Sequence, residues 1–105
     1  MSAYFILEIH PDIEDQAIND YLACISPDVT FHGGNVRSCG GAVQAVQGDR
    51  QMNRLIIIEF RTASIAREWY EEVKQVIEDD ARYRTLRACP AVVVAGLDGQ
   101  ELRPA

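Results

Sequence analysis

Glu59 stands at the end of Leu55-Ile56-Ile57-Ile58, a carboxylate closing an otherwise apolar run. In strand alternation it shares a face with Leu55 and Ile57. A carboxyl group on such a face loses hydration, which moves its pKa upward into a range suited to proton transfer. A second apolar run, Tyr4 to Ile9, carries Glu8 and then His10 on one alternating set. If the two strands present these sets on the same face, Glu59, Glu8 and His10 form an acid, base and imidazole cluster. A competing reading pairs Glu59 with Arg37, Arg54 or an arginine of a second subunit as a structural ion pair. His10 precedes Pro11, where an exposed or backbone-bonded imidazole is common.

Other reactive side chains carry weaker signals. Cys39 near Arg37 can be read as an activated thiol or as a small buried hydrophobe; Cys24 and Cys89 read as core or helix-face residues. His32 falls in a loop before Gly33-Gly34, at the surface. Two isolated histidines with no carboxylate at ligand spacing make a poor metal site, so no metal and no cofactor is expected. Trp69 recurs with Ile65 and Val73 and reads as a core anchor. Tyr4 and Tyr70 are better placed to offer hydroxyls to a ligand. Arg82, Arg84 and Arg87 can be read as collecting an anionic ligand or, more commonly, as balancing the acidic stretch Glu78-Asp79-Asp80. Gly33-Gly34 and Gly40-Gly41 lack the lysine and following helix of a phosphate-binding loop.

The elements that must position these residues follow from periodicity and punctuation. Tyr4–Ile9 is a strand ended by His10-Pro11-Asp12. Asp12 caps a helix carrying Ile13, Ala17, Tyr21 and either Cys24 or Ile25, which Ser26-Pro27-Asp28 stops. Asn35–Cys39 is a strand, interrupted at Gly40-Gly41 and resumed over Ala42–Val46. After a turn at Gln47-Gly48-Asp49-Arg50, Arg54–Phe60 pairs with it as a hairpin. Thr62 or Ser64 caps a second helix whose stripe is Ile65, Trp69, Val73, Val76 and Ile77. Residues 82–87 form either its last turn or a short separate one, and Ala91–Ala95 is the final strand. The order strand, helix, strand, strand, helix, strand is the ferredoxin-like βαββαβ arrangement, an α+β fold with a four-stranded antiparallel sheet. It accounts for residues 1–97 as one domain, with 98–105 a C-terminal tail.

Two helices cover one face of such a sheet. The other face also carries apolar residues, a patch a monomer rarely exposes. Stacking against a second copy covers it, so a homodimer is expected. The 105 residues carry 16 acidic and 10 basic side chains, a net charge of −6, with a single lysine. That balance opposes nucleic-acid binding. Three widely spaced cysteines, no visible signal peptide and no apolar run long enough for a bilayer point to the cytoplasm and to no membrane.

The spaced matches Gly33-Gly34, Gly40-Gly41, Gly48-Asp49, Arg54 to Phe60, Ala66 and Trp69-Tyr70 resemble the bacterial family grouped as domain of unknown function 1330, within the dimeric α+β barrel superfamily. The resemblance implies two ferredoxin-like subunits whose sheets pair into a closed barrel, and implies no substrate. The sequence departs from the pattern at Cys39, where the family places an arginine. Arg37 lies two residues earlier, on the same strand face by simple alternation. A serine-proline-glutamate-tyrosine stretch after the Trp-Tyr pair is replaced by a longer acidic helix. The resulting expectation is a dimer binding a small organic ligand, with Tyr4, Glu8, Arg37, Cys39 and Tyr70 around it. Cofactor-free, isomerase-like proton transfer by Glu59 or His10 would be its chemistry. The alternative is a non-catalytic binding, regulatory or structural dimer.

Overall fold

The computed structural model describes residues 2–49 and 52–97. Along the chain come β1 (Ala3–Glu8), α1 (Asp15–Phe31), β2 (Asn35–Cys39), β3 (Leu55–Phe60) and α2 (Ala63–Glu78). A 3-10 turn at Ala81–Tyr83, the single turn α3 (Arg84–Arg87) and β4 (Ala91–Ala95) complete the order. All pairings are antiparallel and the sheet order is β2-β3-β1-β4. This is the ferredoxin-like α+β fold that the order of sequence elements predicts. The expected tail at 98–105 and Arg50 of the expected turn lie outside the described residues.

Alternation decides which side chains meet the helices. Phe5, Leu7 and Ile9 of the first strand region and Ile56, Ile58 and Phe60 of β3 are buried, while Tyr4, Ile6, Glu8, Leu55, Ile57 and Glu59 are half-buried on the opposite face. Trp69 of α2 is the anchor the sequence suggests. It is fully buried, edge-on to Phe5 at 4.9 Å and tilted on Phe60 at 5.2 Å. The buried stripe of α2 is Ala63, Ala66, Trp69, Val73 and Ile77. Ile65 is only half-buried and Val76 is exposed, so Ala66 takes the place expected of Ile65, and of the expected Val76 and Ile77 only Ile77 is buried. Thr62 caps the helix, its side chain accepting from the Ile65 amide at 3.1 Å.

Three local expectations are corrected. Asp12 does not cap α1; Glu14 precedes the helix without a side-chain cap bond. Pro27 does not stop it either. The helix runs on because Ile25 and Val29 on either side are buried. Burial of Val29 contributes about 1.5–3 kcal/mol, comparable to the ~3 kcal/mol that an interior proline costs. The Ser26 hydroxyl also donates to the Leu22 carbonyl at 2.6 Å. The helix ends at a Schellman turn, where Gly33, at φ +71°, donates to Thr30 O and Gly34 donates to Val29 O. A Cβ on Gly34 would fall 2.7 Å from the Phe60 ring, so both glycines are structural. Third, Ala42–Val46 forms no strand. Gly40 already bonds Leu55 O at the start of β3, which leaves no β3 backbone for the later residues to pair with.

Candidate functional site

The helix-free face of the sheet is apolar at its centre. Ile6 pairs with Ile57 on one side and Val92 on the other, and Tyr4 pairs with Glu59 and Val94. Val92 and Val94 are exposed at 54% and 44%, high for valines in a sheet. A register shift between Val36 and Ser38 breaks the alternation of β2. Its effect is chemical. Arg37, in the shift, reaches Glu59 Oε1 with both Nε (3.0 Å) and Nη2 (2.8 Å). Cys39, opposite Ile56, packs against the core. The expectation that Arg37 and Cys39 share a face is therefore corrected: the extra residue of the bulge sends them to opposite sides.

Glu59 is held as an anion. The Arg37 guanidinium bonded to it, then the Ser2 hydroxyl at 2.9 Å, hold its carboxyl below the usual carboxylate range; Tyr4 adds a longer hydroxyl contact at 3.4 Å. Of the alternatives open in the sequence, the geometry selects the ion pair with Arg37. Arg54 instead bonds Asp15 at 2.7 Å and ties the start of β3 to the start of α1. Burial pushes the Cys39 thiol up, the opposite of an activated cysteine.

The expected cluster with Glu8 and His10 does not assemble within one chain. Tyr4 is the residue opposite Glu59, and Glu8 and His10 lie about 13 and 20 Å further along the extended chain. His10 is exposed, its Nδ1 accepting from the Asp12 amide at 3.2 Å. Glu8 and His10 border a separate cleft of ≈ 510 Å³ with Thr85, Cys89 and Pro90. Arg82 is paired with Asp80 at 2.7 Å, as the charge balance suggests.

Tyr70 is the predicted ligand-contacting residue that does reach a cavity between sheet and helices. A hollow of ≈ 90 Å³ lies under α2, with Phe5, Leu7, Tyr21 and Tyr70 as walls and Lys74, Glu78 and Arg87 as its charged residues. A shallower recess of ≈ 240 Å³ along β4 shares Phe5, Tyr70, Cys89 and Ala91 with it. Burial drives the Tyr21 phenol well above its ordinary range, so it stays neutral. Lys74, bonded to Glu71 at 3.2 Å, is held in its charged form. Sequence reasoning missed Tyr21 and Lys74 and offered Arg87 only as one of a run of arginines. Tyr21 carries the same periodic signal as any core residue, and the two cations come from elements whose approach is tertiary.

His32 is also misplaced by the sequence reading. It is not a surface side chain but 7% exposed, 3.3 Å from Glu72. The extension of α1 past Pro27 carries it against α2. Among the described residues, His32, Glu68 and Glu72 bring three metal-ligating atoms within 4.8 Å of one another.

Among the described residues no helix is long and apolar enough to cross a membrane. No curated protein matches the chain. Solved structures that are similar in fold include two of one bacterial protein. One is the RPA0582 protein of unknown function from Rhodopseudomonas palustris, 16% identical with a TM-score of 0.54, covering 92% of this chain and 83% of that one. The other, methylated RPA0582 protein, is 15% identical with a TM-score of 0.55, covering 92% and 82%. At such identity the likeness speaks for the fold alone. The family described as domain of unknown function (DUF1330) matches residues 2–96, nearly the whole chain, and the protein belongs to that family.

Proposed function

We propose that the protein is a homodimeric small-molecule-binding module. Two copies stack their helix-free sheet faces, and each copy holds a ligand under α2. The observation that carries the ligand reading is the cavity bordered by Tyr21, Tyr70, Lys74 and Arg87. Aromatic walls, the neutral Tyr21 phenol and two cations against the single Glu78 carboxylate suit a small, largely apolar molecule with an anionic group. The dimer reading rests on the exposed Val92 and Val94 beside Ile6 and Ile57. A four-stranded sheet of this length presents roughly 400 Å² in projection, the size at which an apolar patch on a monomer usually has a partner. A two-fold axis lets one such face cover its own copy.

The Arg37–Glu59 pair favours binding without turnover. A carboxylate stabilised by a guanidinium is a weak base, so Glu59 serves to orient Arg37 and Tyr4 within the interface rather than to abstract a proton. Proton transfer by Glu59 or His10 would need that pair opened or the His10 end of a second copy brought near it.

Native mass spectrometry at increasing activation tests both halves. A dimer carrying an extra small mass, or one that takes up small aromatic carboxylates when offered, is the expected result. A monomer at micromolar concentration overturns the dimer. A dimer that takes up none of them, or takes them up equally after Tyr70→Ala and Lys74→Glu, overturns the cavity as the ligand site.

A further inference from the structure

His32 lies at the end of α1, where the chain reverses through Gly33 and Gly34. Its ring is held on one side. Nδ1 is 2.7 Å from the Asp28 carbonyl oxygen. A carbonyl only accepts, so this assigns the Nδ1 proton. In the neutral ring Nε2 is then a lone pair. It points at Glu72 Oε2, 3.3 Å away, from a side chain that is 7% exposed. Glu68, one turn earlier on α2, supplies a second carboxylate within the same 4.8 Å group. Three sets of lone pairs converging on one point repel unless a positive charge lies between them. That charge is either a proton on Nε2 or a metal ion.

The His32–Glu72 distance fits the second, and the group's 4.8 Å span means that the exposed Glu68 carboxylate swings inward to join it. A charge-assisted N–H···O bond closes to about 2.7–2.9 Å. The edge between two ligand atoms of a tetrahedral ion with bonds of about 2.0–2.1 Å is about 3.3–3.4 Å, which is the separation of His32 and Glu72. Residues four apart lie on one helix face, so Glu68 and Glu72 approach the ion together. A ring N–H given to a backbone carbonyl is how metal-bound histidines fix their tautomer and orientation. We propose that His32 Nε2, Glu68 and Glu72 bind one divalent transition-metal ion of the Zn²⁺ class, with water completing its shell. One imidazole and two carboxylates form a borderline donor set, which suits Zn²⁺ or Co²⁺ better than soft Cu⁺ or hard Mg²⁺. The ion would staple the end of α1 to the middle of α2. The site stands apart from the cavity and the open sheet face and does not depend on either reading.

The test uses the full chain, stripped with a chelator, titrated with Zn²⁺ by calorimetry and with Co²⁺ by visible absorption. One ion per chain, Co²⁺ ligand-field bands and a raised melting temperature are expected. Glu68→Gln with Glu72→Gln should weaken Zn²⁺ binding about 100-fold or more, as should His32→Gln. The exposed glutamate pair is the safer variant, because its far-UV circular dichroism should match the parent even if His32→Gln perturbs packing. Unchanged Zn²⁺ affinity in the double glutamine variant overturns the proposal. So does a parent protein that takes up no ion.

Discussion

On β1, Phe5 and Leu7 point into the helices while Tyr4, Ile6 and Glu8 point away, and β3 repeats the division with Ile56 and Ile58 against Ile57 and Glu59. The covered face is closed by α1 and α2 and includes no charged side chain among its buried residues. The open face is as apolar at its centre, yet it carries the Arg37–Glu59 pair and two exposed valines on β4. The same alternation that builds a core on one side therefore leaves a second apolar surface on the other. The bulge in β2 divides the two surfaces, because Arg37 before it stays on the open face and Cys39 after it turns to the core.

The largest expected contrast comes from truncating the covered side. Trp69→Ala should cost about 3–5 kcal/mol, read as a lower urea midpoint at every protein concentration. On the open side the main effect should fall on association. Val92→Asp, beside Ile6 on the edge strand β4 of that face, should raise the dimer dissociation constant roughly 100-fold, about 3 kcal/mol, through an unpaired buried charge, while far-UV circular dichroism stays unchanged. Sedimentation velocity checks it, and a parent protein already monomeric would break the contrast.

The acid limb of stability sharpens it further. The folded pKa of Glu59 is lowered by Arg37, so the folded state binds fewer protons there than the unfolded one. Its contribution is complete above the unfolded value of about 4.3 and disappears as pH falls through the folded value. Glu59→Gln should therefore flatten the loss of stability below about pH 4.3 relative to the parent and leave neutral-pH folding cooperative. Paired urea titrations across acidic pH read this directly. The smallest expected effect is Val94→Thr, within about 0.5 kcal/mol at low protein concentration. A larger loss that grows with protein concentration would place Val94 inside the interface.

Much of this was legible in the residues. The run Arg54 to Phe60, the Thr62 cap, Trp69 as an anchor and the order of six main elements are local signals, and the structure follows them. The apolar second face was also readable, from alternation alone. The site was less so. Of the expected ligand-contacting residues, Tyr70 borders the cavity under α2 and Tyr4 and Arg37 meet at Glu59, whereas Glu8 and His10 share a separate cleft and Cys39 turns to the core. The α1 terminus defeated local reading because a proline was outweighed by the burial of Ile25 and Val29, which depends on a sheet formed far along the chain.

The sequence by itself determined the periods, caps and turn glycines, and through them the element order and the two apolar sheet faces. These are interactions between residues a few positions apart, so their pattern is written in the chain. Only the tertiary structure decided that Arg37 bonds Glu59 while a bulge turns Cys39 to the core, that Lys74 and Arg87 meet Tyr21 at one cavity, and that His32 faces Glu68 and Glu72. Each of those meetings joins residues from different elements, and a shift of one residue in register, or one turn in helix length, would separate them.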